Sequence, residues 1–242
     1  MRYGIFSDIH SNREALEAVL EAIREEDIDH YLCAGDLVGY AANPNECIER
    51  VLGLKPVIVA GNHDWGAVHL FPSDYFNQWA AVALSWTARC LTEKNRSLLS
   101  SLKLVYKNED LTLVHGTLND PADFHYLVDI SDAQATFRLL TTDVCFIGHT
   151  HRPGIFSKRG LANVRYQEES FLRMAPGHKY IVNVGSVGQP RDGNPMASYC
   201  IYDSQKKEIV IKRVDYDKQT AKRKIEEAGL PHFLGERLLA GI

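Results

Sequence analysis

The sequence lacks several features that mark specialised classes of protein. No apolar run among its 242 residues approaches the ~20 that a membrane-spanning helix needs, and no apolar stretch follows a basic start as in a secretory leader. Long blocks of lysine or arginine are absent, and the formal net charge is only −4. A surface that wraps nucleic acid or binds an anionic membrane is therefore not expected. We predict a cytoplasmic protein whose partner is a small molecule.

Closely spaced cysteines are also absent. The five cysteines are odd in number, scattered and free of any Cys-x-x-Cys motif: Cys33, Cys47, Cys90, Cys145 and Cys200. This pattern argues against a disulfide scaffold and against a thiolate metal site. Two of them, Cys33 and Cys145, lie in apolar strand-like runs, where a free thiol packs as a small apolar group.

An apolar fraction of 45% is enough for one substantial core. Since no repeat, low-complexity segment or linker divides the chain, we predict a single domain over residues 1–242. Within it we expect a helical, aromatic-rich insertion at about 65–102. A C-terminal helix and a short tail are expected at about 217–242.

Strand-like and helix-like segments alternate in the first third of the chain. Apolar runs at 3–7, 30–34 and 57–60 end in polar loops, and a helix is expected after each of the first two. Ser11 and Glu14 form the pattern of a capping box for the first of these helices. Alternation of this kind predicts parallel strands whose carboxyl ends meet at one edge of a sheet. Because the second half consists mainly of strands, we expect two packed sheets with helices outside.

The aromatic insertion allows two interpretations. Trp79, Ala83 and Trp86 recur at helical spacing, which is typical of core packing. Trp65 and Tyr75 are better candidates for a lid on which a nucleobase stacks. An apolar segment of this kind could also be buried between the subunits of a homo-oligomer.

Five short polar motifs follow apolar runs and together contain the side chains of a metal centre. They are Asp8-Ile9-His10, Gly35-Asp36, Gly61-Asn62-His63-Asp64, His115-Gly116 and Gly148-His149-Thr150-His151. Each follows a predicted strand, where an α/β fold opens its ligand crevice. On an extended segment Asp8 and His10 would point to the same side, as would His149 and His151.

The chemistry of these side chains favours two divalent ions. Carboxylate and imidazole ligands suit borderline ions, with manganese or iron preferred and nickel, cobalt or zinc compatible. One carboxylate, such as that of Asp36, can bridge two ions ~3.5–4 Å apart. Such a pair generates a bridging hydroxide near neutral pH and neutralises phosphoryl oxygens during in-line attack. The motifs therefore predict hydrolysis of phosphate esters.

In this order the five motifs resemble the calcineurin-like metallophosphoesterase superfamily over residues 1 to about 190. The start of the chain and the run Asn-Val-Gly-Ser-Val-Gly-Gln-Pro-Arg at 183–191 are most similar to its prokaryotic phosphodiesterase-like branch. The resemblance implies an α/β fold, a four-layer α-β-β-α sandwich of two mixed sheets flanked by helices. The implied ligands are Asp8, His10, Asp36 and His151 for one ion, and Asp36, Asn62, His115 and His149 for the other.

The resemblance also implies contacts with a substrate. His63 would be catalytic, touching the phosphate with Asn62 and donating a proton to the leaving oxygen. Arg191 is a further candidate because its planar guanidinium matches a phosphate. Asn12 and Arg152 are weaker candidates for the same contact.

One departure from the superfamily concerns its protein serine/threonine phosphatases. These continue Gly-Asp as Gly-Asp-x-x-Asp-Arg-Gly, whereas this chain reads Gly35-Asp36-Leu37-Val38-Gly39-Tyr40. The missing acid and arginine argue against a protein phosphatase and leave the orienting partner of His63 open. Asp64 would point away from His63 on an extended segment.

Three functions follow from these observations. The leading one is a dinuclear-metal phosphoesterase acting on a small phosphodiester or nucleotide-like substrate. A nucleoside-polyphosphate hydrolase of the diadenosine tetraphosphatase type ranks lower, because only Arg152, Arg191 and Arg13 are placed to neutralise a polyphosphate. A non-catalytic scaffold on the same fold ranks last, since no ligand position is degraded.

Overall fold

The computed structural model describes all residues from 1 to 242 as two β-sheets and eight α-helices. The strands are β1 (Arg2–Phe6), β2 (His30–Cys33), β3 (Val57–Ile58), β4 (Val105–Lys107), β5 (Thr112–Val114), β6 (Val144–Ile147), β7 (Gly154–Arg159), β8 (Arg165–Gln167), β9 (Phe171–Arg173), β10 (His178–Asn183), β11 (Ala197–Asp203) and β12 (Glu208–Val214). The helices are α1 (Arg13–Arg24), α2 (Pro44–Leu52), α3 (Asn62–Ala67), α4 (Gln78–Cys90), α5 (Glu93–Ser101), α6 (Ile130–Leu139), α7 (Lys218–Glu227) and α8 (His232–Ala240).

Each sheet has six strands and combines parallel with antiparallel pairs. The first has the order β3-β2-β1-β11-β12-β9 and the second β4-β5-β6-β10-β7-β8. Strands β1, β2 and β3 run parallel to one another, as do β5, β6 and β10. The carboxyl ends of each parallel set therefore share one edge. Two mixed sheets flanked by helices confirm the predicted sandwich.

Alternation of apolar side chains along the strands produces separate cores. Tyr3 and Ile5 of β1 belong to a 17-residue cluster that also holds Tyr202 of the same sheet and Phe146 of the other sheet. Phe6 points to the opposite face, because successive strand residues alternate, and joins a 31-residue cluster with helices such as α1 and α2. A third cluster of 10 residues packs α6 against the second sheet. The layers thus follow from period-two patterning.

Helix α1 begins later than its sequence predicted, because Asn12 and not Ser11 is its N-cap. The Asn12 side-chain oxygen accepts the backbone N–H of Ala15 at 3.1 Å. Its amide nitrogen donates to the carbonyl of Gly188 at 2.9 Å and to the Tyr216 hydroxyl at 3.3 Å. A phosphate contact by Asn12 would have to break one of these bonds.

Residues 65–102 contain helices α4 and α5, but only part of the aromatic stripe reaches the core. Ala83 is buried and Trp86 packs against the core, whereas Trp79 is 39% exposed. The predicted C-terminal tail is wrong in part, because it forms α8. Leu234 and Leu238 lie one turn apart there, and both are buried in the core beside α7. No helix of the chain is both long and apolar enough to cross a bilayer.

Candidate metal centre

The seven predicted ligands lie where β1, β2, β3, β5 and β6 end, so residues from both sheets meet at one place. Two groups have ligand atoms within 4.8 Å of one another: Asp8, His10, Asp36 and His151, and Asp36, His115 and His149. Asn62 adjoins the second group, because its side-chain oxygen is 3.2 Å from Nε2 of His115. All seven side chains are buried. Their role as metal ligands stays a prediction, but their convergence is a feature of the fold.

The backbone at these positions differs from the predicted extended segments. Five ligand residues have left-handed φ angles between +50° and +68°: Asp8, His10, Asp36, His149 and His151. Aspartate and histidine tolerate this region better than most residues, although each still costs about 1–3 kcal/mol. Bonds between neighbouring loops stabilise it, including Asp8 N–H to Gly35 O and His10 N–H to Asp36 O, both 3.0 Å. The tight turns, and not strand alternation, aim these side chains inward.

Three histidines have their ring orientation set by a backbone carbonyl. Nδ1 contacts the carbonyl oxygen of Val38 for His10 (3.0 Å), of Ala34 for His115 (2.7 Å) and of Gln189 for His151 (2.6 Å). Because Nδ1 must donate in each bond, Nε2 is the ring nitrogen that faces the centre. His149 Nε2 is buried without any partner. This arrangement is typical of metal-ligating histidines, and the oxygen and nitrogen donors fit borderline divalent ions.

The close contacts within the site call for positive charge. Nε2 of His10 and Nε2 of His151 are 3.0 Å apart, so a proton or a cation must lie between the two lone pairs. Burial alone would raise the pKa of Asp36, but His115 and its neighbours lower it. Burial opposes protonation of His115, yet the adjoining Asp36 carboxylate raises the pKa of His115 to about 9. A divalent ion bound here would therefore displace a proton from His115.

Asp64 has a structural role that the sequence did not reveal. The segment after Asn62 is helix α3 and not extended, and Asp64 occupies its third position. The carboxylate of Asp64 accepts backbone N–H groups from Gly61 (3.0 Å), Asp36 (2.9 Å), Leu37 (2.8 Å) and Val38 (3.3 Å). Burial and the charge of Asp36 raise the pKa of Asp64. As expected, Asp64 does not orient His63; it supports the loop that carries Asp36.

Packing, and not an acid, orients His63. Its Nδ1 is buried without a partner, and a Cβ at Gly39 would lie 2.5 Å from it. The His63 ring centroid is 4.5 Å from that of Tyr40, 4.7 Å from that of His10 and 5.0 Å from that of Phe76. Gly39 and Tyr40, where the protein phosphatases have other residues, thus form the wall behind His63.

The two predicted arginines differ in their surroundings. Arg191 is partly buried and donates to the hydroxyl of Tyr40 at 3.1 Å and to the side chain of Gln189 at 2.9 Å. Burial lowers the pKa of His151, and the charge of Arg191 lowers it further, so this guanidinium borders the first ligand group. Arg152 is exposed and donates to the backbone carbonyl of Arg191 at 2.9 Å.

The absence of a side chain at Gly148 leaves room for the carboxylate of Asp8. A Cβ at residue 148 would lie 2.3 Å from the Asp8 carboxylate and 2.1 Å from the Ser7 hydroxyl. We expect Gly148→Ala to weaken metal binding about 10- to 100-fold, as loss of a supporting contact does at metal sites. Calorimetric titration with Mn²⁺ measures this effect. Gly53→Ala is the control, because its Cβ would meet nothing closer than 3.3 Å. Unchanged affinity in Gly148→Ala would argue against Asp8 as a ligand.

Comparison with known proteins agrees with the geometry of the site. The sequence model of the Calcineurin-like phosphoesterase superfamily domain matches residues 1–207. An uncharacterized protein from Methanocaldococcus jannaschii is 41% identical over 243 residues, covering 98% of this chain and 97% of its own. The crystal structure of a metallophosphoesterase from Sphaerobacter thermophilus is 38% identical, with a TM-score of 0.88 and coverage of 100% of this chain and 99% of that one.

A third similarity concerns the fold alone. A hypothetical protein from Pyrococcus horikoshii is 21% identical, with a TM-score of 0.81 over 100% of this chain and 98% of that one. The match to the superfamily domain extends over most of this chain and contains all five metal-site motifs. The protein therefore belongs to the calcineurin-like phosphoesterase superfamily.

Proposed function

We propose that this protein is a dinuclear-metal-dependent phosphoesterase that hydrolyses a small phosphodiester or nucleotide-like substrate. The observation that carries the proposal is the position of one oxygen atom, Oδ2 of Asp36. It lies 3.6 Å from Nε2 of His10 and 3.3 Å from Nε2 of His115, and so faces both ligand groups. When bound, a pair of divalent ions supplies an acidified water as nucleophile and positive charge opposite the phosphoryl oxygens. The donor set favours manganese or iron.

The remaining side chains would bind the substrate and move a proton. Burial lowers the pKa of His63 to about 4, with the charge of Arg191 among the further causes, so the ring of the free protein is neutral at pH 7. A bound phosphate anion raises that pKa, which prepares the ring to donate a proton to the leaving oxygen. Arg191, fixed by Tyr40 and Gln189, is suited to a phosphate oxygen near the first ligand group.

The charges around the site favour this function over the polyphosphate alternative. A nucleoside polyphosphate needs several convergent cations, yet beside Arg191 the other candidate, Arg152, is exposed and donates to a backbone carbonyl. The scaffold alternative predicts no bound metal. Intact ligand groups favour the enzyme over the scaffold.

A single experiment separates these alternatives. Metal-stripped protein is reloaded with Mn²⁺, assayed on bis-p-nitrophenyl phosphate and on p-nitrophenyl phosphate, and analysed for bound metal. We expect two ions per chain and faster turnover of the diester. Two ions without turnover of either ester would favour the polyphosphate hydrolase, and absence of bound metal would favour the scaffold.

His63→Ala tests the proposed proton donor. A general acid typically contributes 10²- to 10⁴-fold, and it matters most when the leaving alkoxide is a poor one. We expect kcat for an alkyl ester to fall at least about 10²-fold, with a much smaller loss for p-nitrophenyl esters and unchanged metal content. Steady-state assays on both ester types measure the difference.

The matched control is His30→Ala, an exposed histidine at the opposite end of β2 from Asp36. Both ester types should be turned over normally by this variant. Equal losses on the two esters in His63→Ala would remove the proton-donor role and leave His63 as a phosphate contact only.

A further inference from the structure

A recess of about 470 Å³ opens beside the second ligand group. We call it the aromatic recess and define it by five rings in its lining: Trp65, Phe71, Tyr75, Phe124 and Tyr126. Its lining also includes Asn62 and His149, which are predicted metal ligands. A group that enters the recess is therefore next to the second ligand group.

The rings are packed against one another, and two of them stay largely exposed. The Phe71 ring lies 5.2 Å from Tyr75 and 5.1 Å from Phe124, the latter at 89°, and Trp65 meets Phe124 at 90°. Tyr126 stacks on His149 with centroids 3.9 Å apart and planes at 15°. Yet Tyr75 is 76% exposed and Tyr126 50% exposed. Exposed aromatic surface of this extent around a concave site is typical of a ligand-binding surface.

The charge at the rim defines which ligands fit. Exposed Asp123 and His125 line the recess, and no lysine or arginine does. A second phosphate group would find no cation here and would meet the Asp123 carboxylate. A neutral planar ring can stack on the exposed aromatic side chains, while Asp123 and His125 offer hydrogen-bonding groups to its edge.

We propose that the aromatic recess binds a planar aromatic group of the substrate, a nucleobase or an aryl ring, joined to the phosphate that faces the ligand groups. This inference rests on the proposed phosphoesterase function and deepens it by naming the substrate class. The phosphate is recognised between the two sheets, and the ring is recognised by the insertion at 65–102 and by residues 124–126. Trp65 and Tyr75 thus form walls of a recess and not a closed lid.

Three phosphonates that cannot be hydrolysed test the recess. They share one phosphonomethoxyethyl chain and end in adenine, in phenyl or in hydrogen. Titration calorimetry of the Mn²⁺-loaded protein compares their affinities. We expect the adenine or phenyl compound to bind at least ~10-fold more tightly than the compound without a ring, as stacking on aromatic side chains allows. Tighter adenine binding would identify a nucleobase site, and equal binding of the two ring compounds a site for any aryl group.

Two variants test whether the affinity for ring compounds depends on the aromatic recess. In Tyr75→Ala we expect the advantage of the ring compounds over the compound without a ring to fall at least threefold. The matched control is Trp79→Ala, an exposed tryptophan of the same insertion outside the recess, which should keep the full advantage. An unchanged advantage in Tyr75→Ala would overturn the proposal.

Failure of the recess and failure of the enzyme have different signatures. Equal binding of the three phosphonates, or no binding of any, would contradict the proposal that the aromatic recess binds a planar ring, even if esters are hydrolysed normally. If no ester is turned over but the ring compounds still bind more tightly, the phosphoesterase proposal is contradicted and the ring-binding role of the aromatic recess is supported.

Discussion

Asp36→Asn is expected to lower kcat/KM for phosphodiesters at least about 10³-fold and to reduce the bound metal below two ions per chain. The reason is that Oδ2 of Asp36 faces His10 and His115 together, so one change removes a negative charge that both groups share. Asparagine keeps the volume of the side chain. It also keeps an oxygen for the backbone N–H of His63, which donates to Oδ1 at 2.8 Å. Metal analysis and steady-state kinetics on the same samples measure both effects.

Asp143→Asn is the appropriate control for that experiment. Asp143 is exposed, lies outside both ligand groups and directly precedes β6. This variant should bind two ions and turn over substrate normally. If Asp36→Asn also kept two ions and near-normal turnover, Asp36 would not be a shared ligand.

Asp64→Ala should produce the largest loss of stability among the single changes considered. It leaves as many as four buried N–H groups without an acceptor, and each such group costs about 1–3 kcal/mol. We therefore expect the free energy of unfolding of the metal-free protein to fall by about 3 kcal/mol or more. Urea unfolding followed by circular dichroism measures it, and an unchanged slope would show that the denatured state is unaltered.

Two companion variants make the result specific. Asp74→Ala removes an exposed acid of the insertion and should change stability by less than about 0.5 kcal/mol. Asp64→Asn keeps one acceptor oxygen but turns an NH₂ group toward backbone donors, so it should lie between the wild type and Asp64→Ala. A loss below about 1 kcal/mol in Asp64→Ala would mean that the loop carrying Asp36 does not depend on this carboxylate.

The sequence predicted that the candidate ligands converge, because ligand types and strand ends are both local patterns. A run of apolar residues followed by Asp-x-His or Gly-His-Thr-His can be recognised without knowing the rest of the chain. The layered fold followed from the same alternation. Helix α8 was missed because the apolar positions of so short a segment are visible only once α7 provides a surface for them.

Other features depend on contacts between distant segments and could not be predicted. The left-handed turn at His10 is stabilised by the loop after β2, and the buried amide of Asn12 is satisfied by Gly188 and Tyr216. Gly39 matters only because the His63 ring lies against it. Such roles are set by three-dimensional proximity, which residue type and spacing do not encode.

The way the ligand groups draw on both sheets has a consequence for biosynthesis. His10 and His151 approach to 3.0 Å across 141 residues of chain, and His151 is oriented by the still later carbonyl of Gln189. Closing loops of that length is entropically costly and must be offset by formation of both sheets. The second ligand group is complete at His149, but the first lacks the carbonyl that orients His151 until Gln189, nearly four-fifths of the way along the 242 residues. We therefore expect metal loading to follow folding, unlike in zinc fingers, where nearby ligands let the ion drive folding.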